Sequence, residues 1–430
     1  MDKGKDMTIS AVEQRVLDTI DFEAMLAYIC ELVAIRSLDG EETAVQQNVA
    51  KKMRELGLEV DTWDLDFAAL SQHPSFCVEV DREHGLGVVG IMGSDMLPHG
   101  NAKSLILNGH TDVVPAGEAA NWTYPAWEGT IANGNVYGRG ALDMKGGLCC
   151  ALFAAKAIMD AGVSLKGKLM IESVIGEEDG GVGTLGAIAR GYQADAAIIM
   201  EPTELMLAPA QAGALNFRVT VPGYAAHGAV RTEGVSAIEK FMPIYTALMA
   251  LEKQQNETFS DPYFAAYDLP YPLCVGTIQA GNWASTVAES LTFEGRFGIA
   301  VGQNVAAARQ LLEETVAKAA AADPWLCDNP PTVEWWGGQF APARIDEDEA
   351  IVTAVSAAFE NVTHTPARIQ GMTYGADMRL LVNDGNTPTL MFGPGDVRNA
   401  HQPDEFVPIA DLETVTKTLV LTILRFCEHE

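Results

Sequence analysis

Residues Ser104–Ala161, SLILNGHTDVVPAGEAANWTYPAWEGTIANGNVYGRGALDMKGGLCCALFAAKAIMDA, decide the fold class. SLILNG reads as a short apolar strand, and LCCALFAAKAIMDA reads as a helix of small and apolar residues. Between them YGRGALDMKGG bends the chain sharply around Asp143, because glycine enters turn conformations closed to other residues. KGKLMIESVI, another apolar strand, follows the helix directly. Strand, crossover helix and strand form the unit of an α/β sheet with covered faces. The alternation of side chains along a strand also puts His110 and Asp112 on one face as the first strand ends.

Outward from this unit, LEVDTWDL and GLGVVGIMG precede it as strands and DAAIIM follows it. From about Thr8 to Gly57 the chain reads as helices: Asp21 is placed to cap FEAMLAYICELVAI, and Asp39 or Gly40 stands before EETAVQQNVAKKMRELG. From Gly213 to Trp336 the order becomes β-α-β-β-α-β, from ALNFRVTVPG through GVSAIEKFMPIYTALMALEKQ to PTVEWW. That is a ferredoxin-like arrangement large enough for its own core. After Gly337 helices and a strand resume, with EDEAIVTAVSAAFENV, GADMRLLV, TPTLMFGPG and DLETVTKTLVLTILRFCE. The expectation is an α/β fold whose main domain, residues 1–212 and 337–430, has a central sheet flanked by helices, interrupted by an inserted domain at residues 213–336.

Size and charge narrow the function. A chain of 430 residues exceeds the length at which a single core usually keeps growing, so two domains are the default. Lys and Arg number 28 against 58 Asp and Glu, a formal charge of -30, which opposes binding to a nucleic-acid backbone or an anionic membrane. MDKGKDMTIS has no apolar leader and no long apolar run follows, so a cytoplasmic location is expected. Seven cysteines without a C-x-x-C pair argue against a disulfide framework or a thiolate zinc site, and Cys149 and Cys150 fall in the apolar helix as packing residues.

Acids and imidazoles recur where strands end. Asp143, in its turn, can bridge two divalent cations with its two oxygens while a neutral His110 binds one of them. Asp112 suits a supporting task, accepting the other ring N–H of His110 and so fixing its tautomer. Glu177, Glu178 and Asp179 follow KGKLMIESVI in a row; a dication offsets their mutual repulsion, although on an open loop water and salt would do the same. Glu201 leaves DAAIIM, and His401 lies in NAHQPDEFV after the last strand. His227 lies in the loop PGYAAHGAV, where a lone histidine is usually just solvated.

In their order, GHTDVVP, YGRGALDMKGG, GEEDGGVG, MEPT and GPG…AHQPDE resemble the signature of the M20 metallopeptidases, the acetylornithine deacetylase and succinyl-diaminopimelate desuccinylase superfamily, over nearly the whole chain. The resemblance implies a two-metal amidohydrolase in which the inserted domain is a lid and dimerisation domain. It implies that His110 and Glu201 bind different metals, that Asp143 bridges them, and that Glu178 and His401 complete the two shells. It makes Glu177 the general base, Asp112 the residue that steadies His110, and His227 a lid histidine reaching into the active site of the second subunit. The Asp143–Met144 peptide is expected to be cis. Nitrogen and carboxylate donors favour zinc, with cobalt or manganese admitted. Where relatives hold a substrate carboxylate with arginine or asparagine, this chain offers Asn282 and Ser285 in GNWAST, and Gln339 in WWGGQF stands where some carry arginine. Tyr374 and Asp377 match a pocket-lining stretch, and Arg296 on a lid strand suits a structural salt bridge.

The expected reaction is removal of a small acyl group from an N-acyl amino acid by a homodimer. A dipeptidase or carboxypeptidase acting on a short peptide uses the same donors and base. Two readings from other classes compete. Gly181, Gly183 and Gly186 fit the G-x-G-x-x-G fingerprint of a nucleotide-dependent oxidoreductase, but a pyrophosphate there would face Glu177, Glu178 and Asp179. A non-catalytic binding protein is the other, although every matched position is filled.

Overall fold

The computed structural model describes residues 8–93 and 102–430; the segment MDKGKDM, on which the expected location partly rested, lies outside the described residues. The chain forms two compact units, one from Met1–Ala210, Arg344–Gly371 and Ala376–Glu430, the other from Gln211–Ala343 and Met372–Gly375.

The first unit is built on a six-stranded mixed sheet in the order Glu59–Asp64, Leu86–Gly93, Lys168–Val174, Leu105–His110, Ala196–Ile199 and Thr389–Met391. The last four strands run parallel, and the first two add antiparallel pairs at one side. Leu105–His110 and Ala196–Ile199 are buried along their whole length, as interior strands of a covered parallel sheet must be. The helix Gly146–Asp160 packs against Ile409–Phe426 and Phe22–Ala34, which is why LCCALFAAKAI is apolar on nearly every side.

Local rules hold in some places and yield in others. Asp21 caps Phe22–Ala34, its carboxylate accepting the Ala24 N–H at 2.9 Å. Neither Asp39 nor Gly40 caps the following helix, Thr43–Glu55, which has no side-chain cap. Asp39 and Glu42 turn instead to the buried Arg82, at 3.3 and 2.7 Å, where an opposite charge in a dry setting outweighs a cap worth about 1 kcal/mol. The strand expected through TPTLMFGPG is confined to Thr389–Met391, and the GPG turn leaves the sheet.

The second unit is an antiparallel sheet ordered Leu273–Ala280, Ser290–Ile299, Gly213–Pro222, Thr332–Phe340, with helices Ala237–Thr258 and Val305–Ala321. The chain order β-α-β-β-α-β with these neighbours is ferredoxin-like. Leu215, Phe217, Val219 and Val221 alternate into its core against Phe241, Ile244, Leu248 and Leu312. Among the described residues no helix is long and apolar enough to cross a membrane. None of the seven cysteines is joined in a disulfide.

Candidate metal centre

The ends of the central strands converge on Asp143. His110 closes its strand, Glu177 and Glu178 follow Lys168–Val174, and Glu201 follows Ala196–Ile199. Asp143 Oδ1 lies 3.1 Å from His110 Nε2, which is also 3.7 Å from Glu201 Oε1. Asp143 Oδ2 lies 3.3 Å from His401 Nε2, which is 3.0 Å from Glu178 Oε1. Two donors about 2.0–2.1 Å from one tetrahedral ion stand about 3.3 Å from each other, so each of these four contacts has roughly the spacing of two ligands on one ion. Donor atoms of His110, Glu177 and Glu201 also fall within 4.8 Å of one another, and so do those of His110, Asp143 and Glu178.

This pairing corrects one expectation. His110 and Glu201 stand together at Oδ1, and Glu178 stands with His401 at Oδ2, where separate sites for His110 and Glu201 were expected. The reason is topological, since His110 and Glu201 leave neighbouring parallel strands. The Asp143–Met144 peptide is cis.

A second correction concerns Asp112. The strand ends at His110, so Asp112 no longer alternates with it, and the Asp112 carbonyl oxygen sits 3.0 Å from His110 Nδ1. A proton donated there leaves the Nε2 lone pair of the neutral ring facing Asp143. The Asp112 carboxylate stays 3.8 Å from Nδ1 and accepts the Glu178 N–H at 2.9 Å instead. Asp112 therefore touches both donor sets, one by backbone and one by side chain.

Packing explains the glycines of the motifs. A Cβ on Gly147 would lie 2.3 Å from the Met200 carbonyl oxygen, and one on Gly393 would lie 2.3 Å from that of Glu201. The helix start and the GPG turn thus close on the backbone that carries Glu201. Gly183 and Gly186 have the same use: a Cβ would meet Ile175 N and Leu65 at 2.4 Å each. The fingerprint that suggested a dinucleotide is a close-packed helix, not a phosphate cradle.

Asp179, third of the acids, turns away from the cluster. Its Oδ2 accepts the N–H groups of Glu79 and Val80 at 3.2 and 3.1 Å and pairs with Arg82 at 2.7 Å. Arg379 donates to the Gly180 carbonyl at 2.6 Å, so the loop carrying Glu177 is held at its far end as well. Sequence reading passed over Arg82 and Arg379; the one available signal was a basic residue inside an acid-rich segment, VEVDREHG.

The electrostatics describe a site short of positive charge. Burial pushes the Glu177 carboxyl well above the usual carboxylate range, and the neighbouring Glu201 adds to it. Burial and then Asp143 do the same to Glu201. Against burial, hydrogen bonds to His110 and His401 hold Asp143 low. Also against burial, Asp143 and Glu178 push His401 up to about 11. His110 rises likewise, against burial, through Asp112 and Asp143. Acids that keep protons and imidazoles that gain them are the response of crowded carboxylates to missing charge, and a divalent ion supplies that charge in place of protons. The imidazole and carboxylate donors fit such an ion.

The remaining expected residues belong to the second unit, apart from Asp377. Asn282 and Ser285 are exposed, and Asn282 borders a groove of about 730 Å³ with Arg231, Lys240 and Trp283. His227 is exposed, its Nδ1 accepting the Ala229 N–H at 3.1 Å. Tyr374 is half-buried. The Gln339 amide oxygen accepts from Arg309 at 2.7 Å, and its nitrogen donates to the Asn216 carbonyl on the neighbouring strand and to the Trp336 carbonyl on its own, each at 2.9 Å. Arg296 makes no salt bridge among the described residues; it donates to the Thr373 carbonyl at 2.8 Å. Asp377 is buried and accepts the Thr184 hydroxyl at 2.5 Å.

Residues 106–425 match peptidase family M20/M25/M40. The chain belongs to this family. As an M20 hydrolase it acts on amide bonds, and the oxidoreductase reading falls. The chain is 31% identical over 431 residues to an N-formyl-4-amino-5-aminomethyl-2-methylpyrimidine deformylase of Halalkalibacterium halodurans, an alignment covering 94% of this chain and 95% of that one. It is 30% identical over 326 residues to a succinyl-diaminopimelate desuccinylase of Methylorubrum populi, covering 73% and 79%. Among solved structures, human carnosine dipeptidase 1 superposes with a TM-score of 0.74 at 15% identity, covering 97% of this chain and 99% of that one. An M20 metallo-carboxypeptidase of Sulfolobus solfataricus gives 0.73 at 16% identity, with coverage of 94% and 99%. At these identities the structures speak for the M20 fold alone.

Proposed function

We propose that this M20 hydrolase removes a small acyl group, formyl to succinyl in size, from an amine or amino acid, with Glu177 as general base. One observation carries the reading: Glu177 is a buried carboxyl with raised proton affinity, set against the His110 and Glu201 donors. The relatives named for formyl and succinyl removal favour a deacylase over a dipeptidase or carboxypeptidase.

His110, Glu201 and Asp143 Oδ1 would hold one divalent cation, zinc by donor type, and Glu178, His401 and Asp143 Oδ2 the other. Bound there, such a pair supplies the charge that acidifies a water and polarises an amide carbonyl. Glu177 takes a proton from the attacking water as its oxygen bonds to the carbonyl carbon. It gives that proton to the nitrogen as the C–N bond breaks, which restores the carboxylate and releases acid and amine. The Asp112 carbonyl keeps the His110 proton on Nδ1 throughout. An assay of N-formyl, N-acetyl, N-succinyl and N-carbamoyl amines and amino acids beside dipeptides, with added zinc or cobalt, tests the reading. Turnover confined to dipeptides would sink it.

The second unit supports a homodimer. Ile238, Met242 and Tyr245 are exposed at helical spacing on Ala237–Thr258, and Ile278 is exposed on the edge strand Leu273–Ala280. His227 would then serve the other subunit's centre. Mixed dimers of Glu177→Gln and His227→Ala chains should regain activity, and inert hybrids would argue against action across subunits. Seven cysteines without a disulfide fit a reducing, cytoplasmic location.

A further inference from the structure

We infer that Glu405 is a positioning residue for the cation pair, its carboxylate tying the loop that bears His401 to the turn that bears Asp143. The inference rests on the two-cation reading above. Glu405 is fully buried, yet belongs to neither donor set. Its Oε1 accepts three backbone N–H groups of one turn, from Gly140 at 2.8 Å, Leu142 at 3.2 Å and Asp143 itself at 3.3 Å. Its Oε2 pairs with Arg139, which is itself buried. Its carbonyl accepts the Gly138 N–H at 2.9 Å, and the next residues, Phe406–Pro408, pair as a strand with Asn135–Tyr137.

On the other side of Glu405 the chain runs back to His401. His401 and Asp404 both hold left-handed backbone, at φ 59° and 57°, a conformation that non-glycine residues keep only where their surroundings impose it. Asp404 is pinned by the N–H groups of Thr123 and Tyr124 at 2.7 and 3.2 Å. The loop of His401 is therefore anchored at its end, and Glu405 is the anchor that reaches Asp143.

A bridging carboxylate must present two oxygens to two donor sets at once, and Asp143 does so at 3.1 and 3.3 Å. His110 is placed by the central sheet, independently of Glu405. The His401–Asp143 contact has both of its ends attached to Glu405. Losing this side chain therefore loosens the Oδ2 position first.

The test uses the full chain, freed of metal and titrated with cobalt(II) by calorimetry and by the visible spectrum of the bound ion. Wild-type protein should take up two equivalents. Glu405→Gln should bind the second about 10–100-fold more weakly, the usual cost of losing a group that orients a ligand, with an altered cobalt spectrum and a first equivalent nearly unchanged. Leu152→Ala, buried in the helix Gly146–Asp160, lowers stability elsewhere and should leave both equivalents intact. If Glu405→Gln does not fold because Arg139 is left buried and unpaired, Glu405→Gln with Arg139→Met removes the pair together and should show the same selective loss. Wild-type affinity for both equivalents in these variants, or an equal loss in Leu152→Ala, would overturn the inference. Wild-type protein that takes up no cobalt overturns the two-cation reading itself, a failure visible before any variant is made.

Discussion

The two donor sets around Asp143 are built from different material. At Oδ1, His110 and Glu201 leave adjacent parallel strands, and their side chains are 1% and 5% exposed. At Oδ2, Glu178 and His401 come from loops, and His401 is 50% exposed. A donor on a buried strand loses little freedom when it binds, and a donor on a loop loses more. The first set is thus dry, whereas the second, although its loop is braced, opens to solvent at His401. One cation should be held tightly and the other exchanged readily, and each expectation below breaks or sharpens that contrast.

The largest effect should come from a change that leaves both sets alone. Glu177→Gln keeps the donors and the shape but removes proton transfer, so kcat should fall by about 10²–10⁴ while metal content stays at wild type. Metal lost together with activity would mean that Glu177 is itself a donor and that the Oδ1 set has been drawn too small.

Next come the histidines. His110→Ala should strip the tightly held ion, whereas His401→Ala should leave one equivalent that survives dialysis against a chelator, as measured by elemental analysis. Equal losses would erase the difference between strand-borne and loop-borne donors.

Proton release should accompany uptake at both positions, because both imidazoles are raised. In the cation-free chain His401 keeps its proton up to about 11, because Asp143 and Glu178 outweigh the burial that opposes the charge. That proton must leave before Nε2 can bind a metal, so affinity at the Oδ2 position should rise with pH through neutrality. Calorimetry in buffers of different ionisation enthalpy should show protons released with both equivalents, the weaker one included. Heats independent of buffer would refute this.

The smallest effect lies beneath the site. Glu172, on a central strand, is pushed up to about 7 by burial, although Asn108 donates to it at 2.9 Å. In the unfolded chain it ionises near its ordinary value of 4.5. Between those values the folded state binds more protons, so the stability this group contributes is complete below the lower value and lost as pH rises through the upper. Glu172→Gln should flatten that slope by about 1–3 kcal/mol, measured by urea unfolding on either side of the window. An unchanged slope would place the proton elsewhere.

Much of this was legible in the chain. Strands announced themselves as apolar runs, helices as capped periodic stretches, and the acids at strand exits marked the ends where a site could form. What the sequence could not carry was partnership. His110 stands with Glu201 because their strands are neighbours, and strand order follows from packing across the whole unit. The Asp112 carbonyl took the place of its carboxylate because the strand stopped one residue after Gly109, an end set by hydrogen-bond register. Asp39 gave up a helix cap for Arg82, a residue that only the fold brings near.

The sequence by itself determined the α/β alternation, the β-α-β-β-α-β insertion and the identities of the side chains able to hold metal, because these depend on local periodicity and residue chemistry. Only the tertiary structure decided which donors share an oxygen of Asp143 and that Glu405 braces the turn beneath it. Those are distances between residues far apart in the chain, and they exist only once the sheet has been assembled.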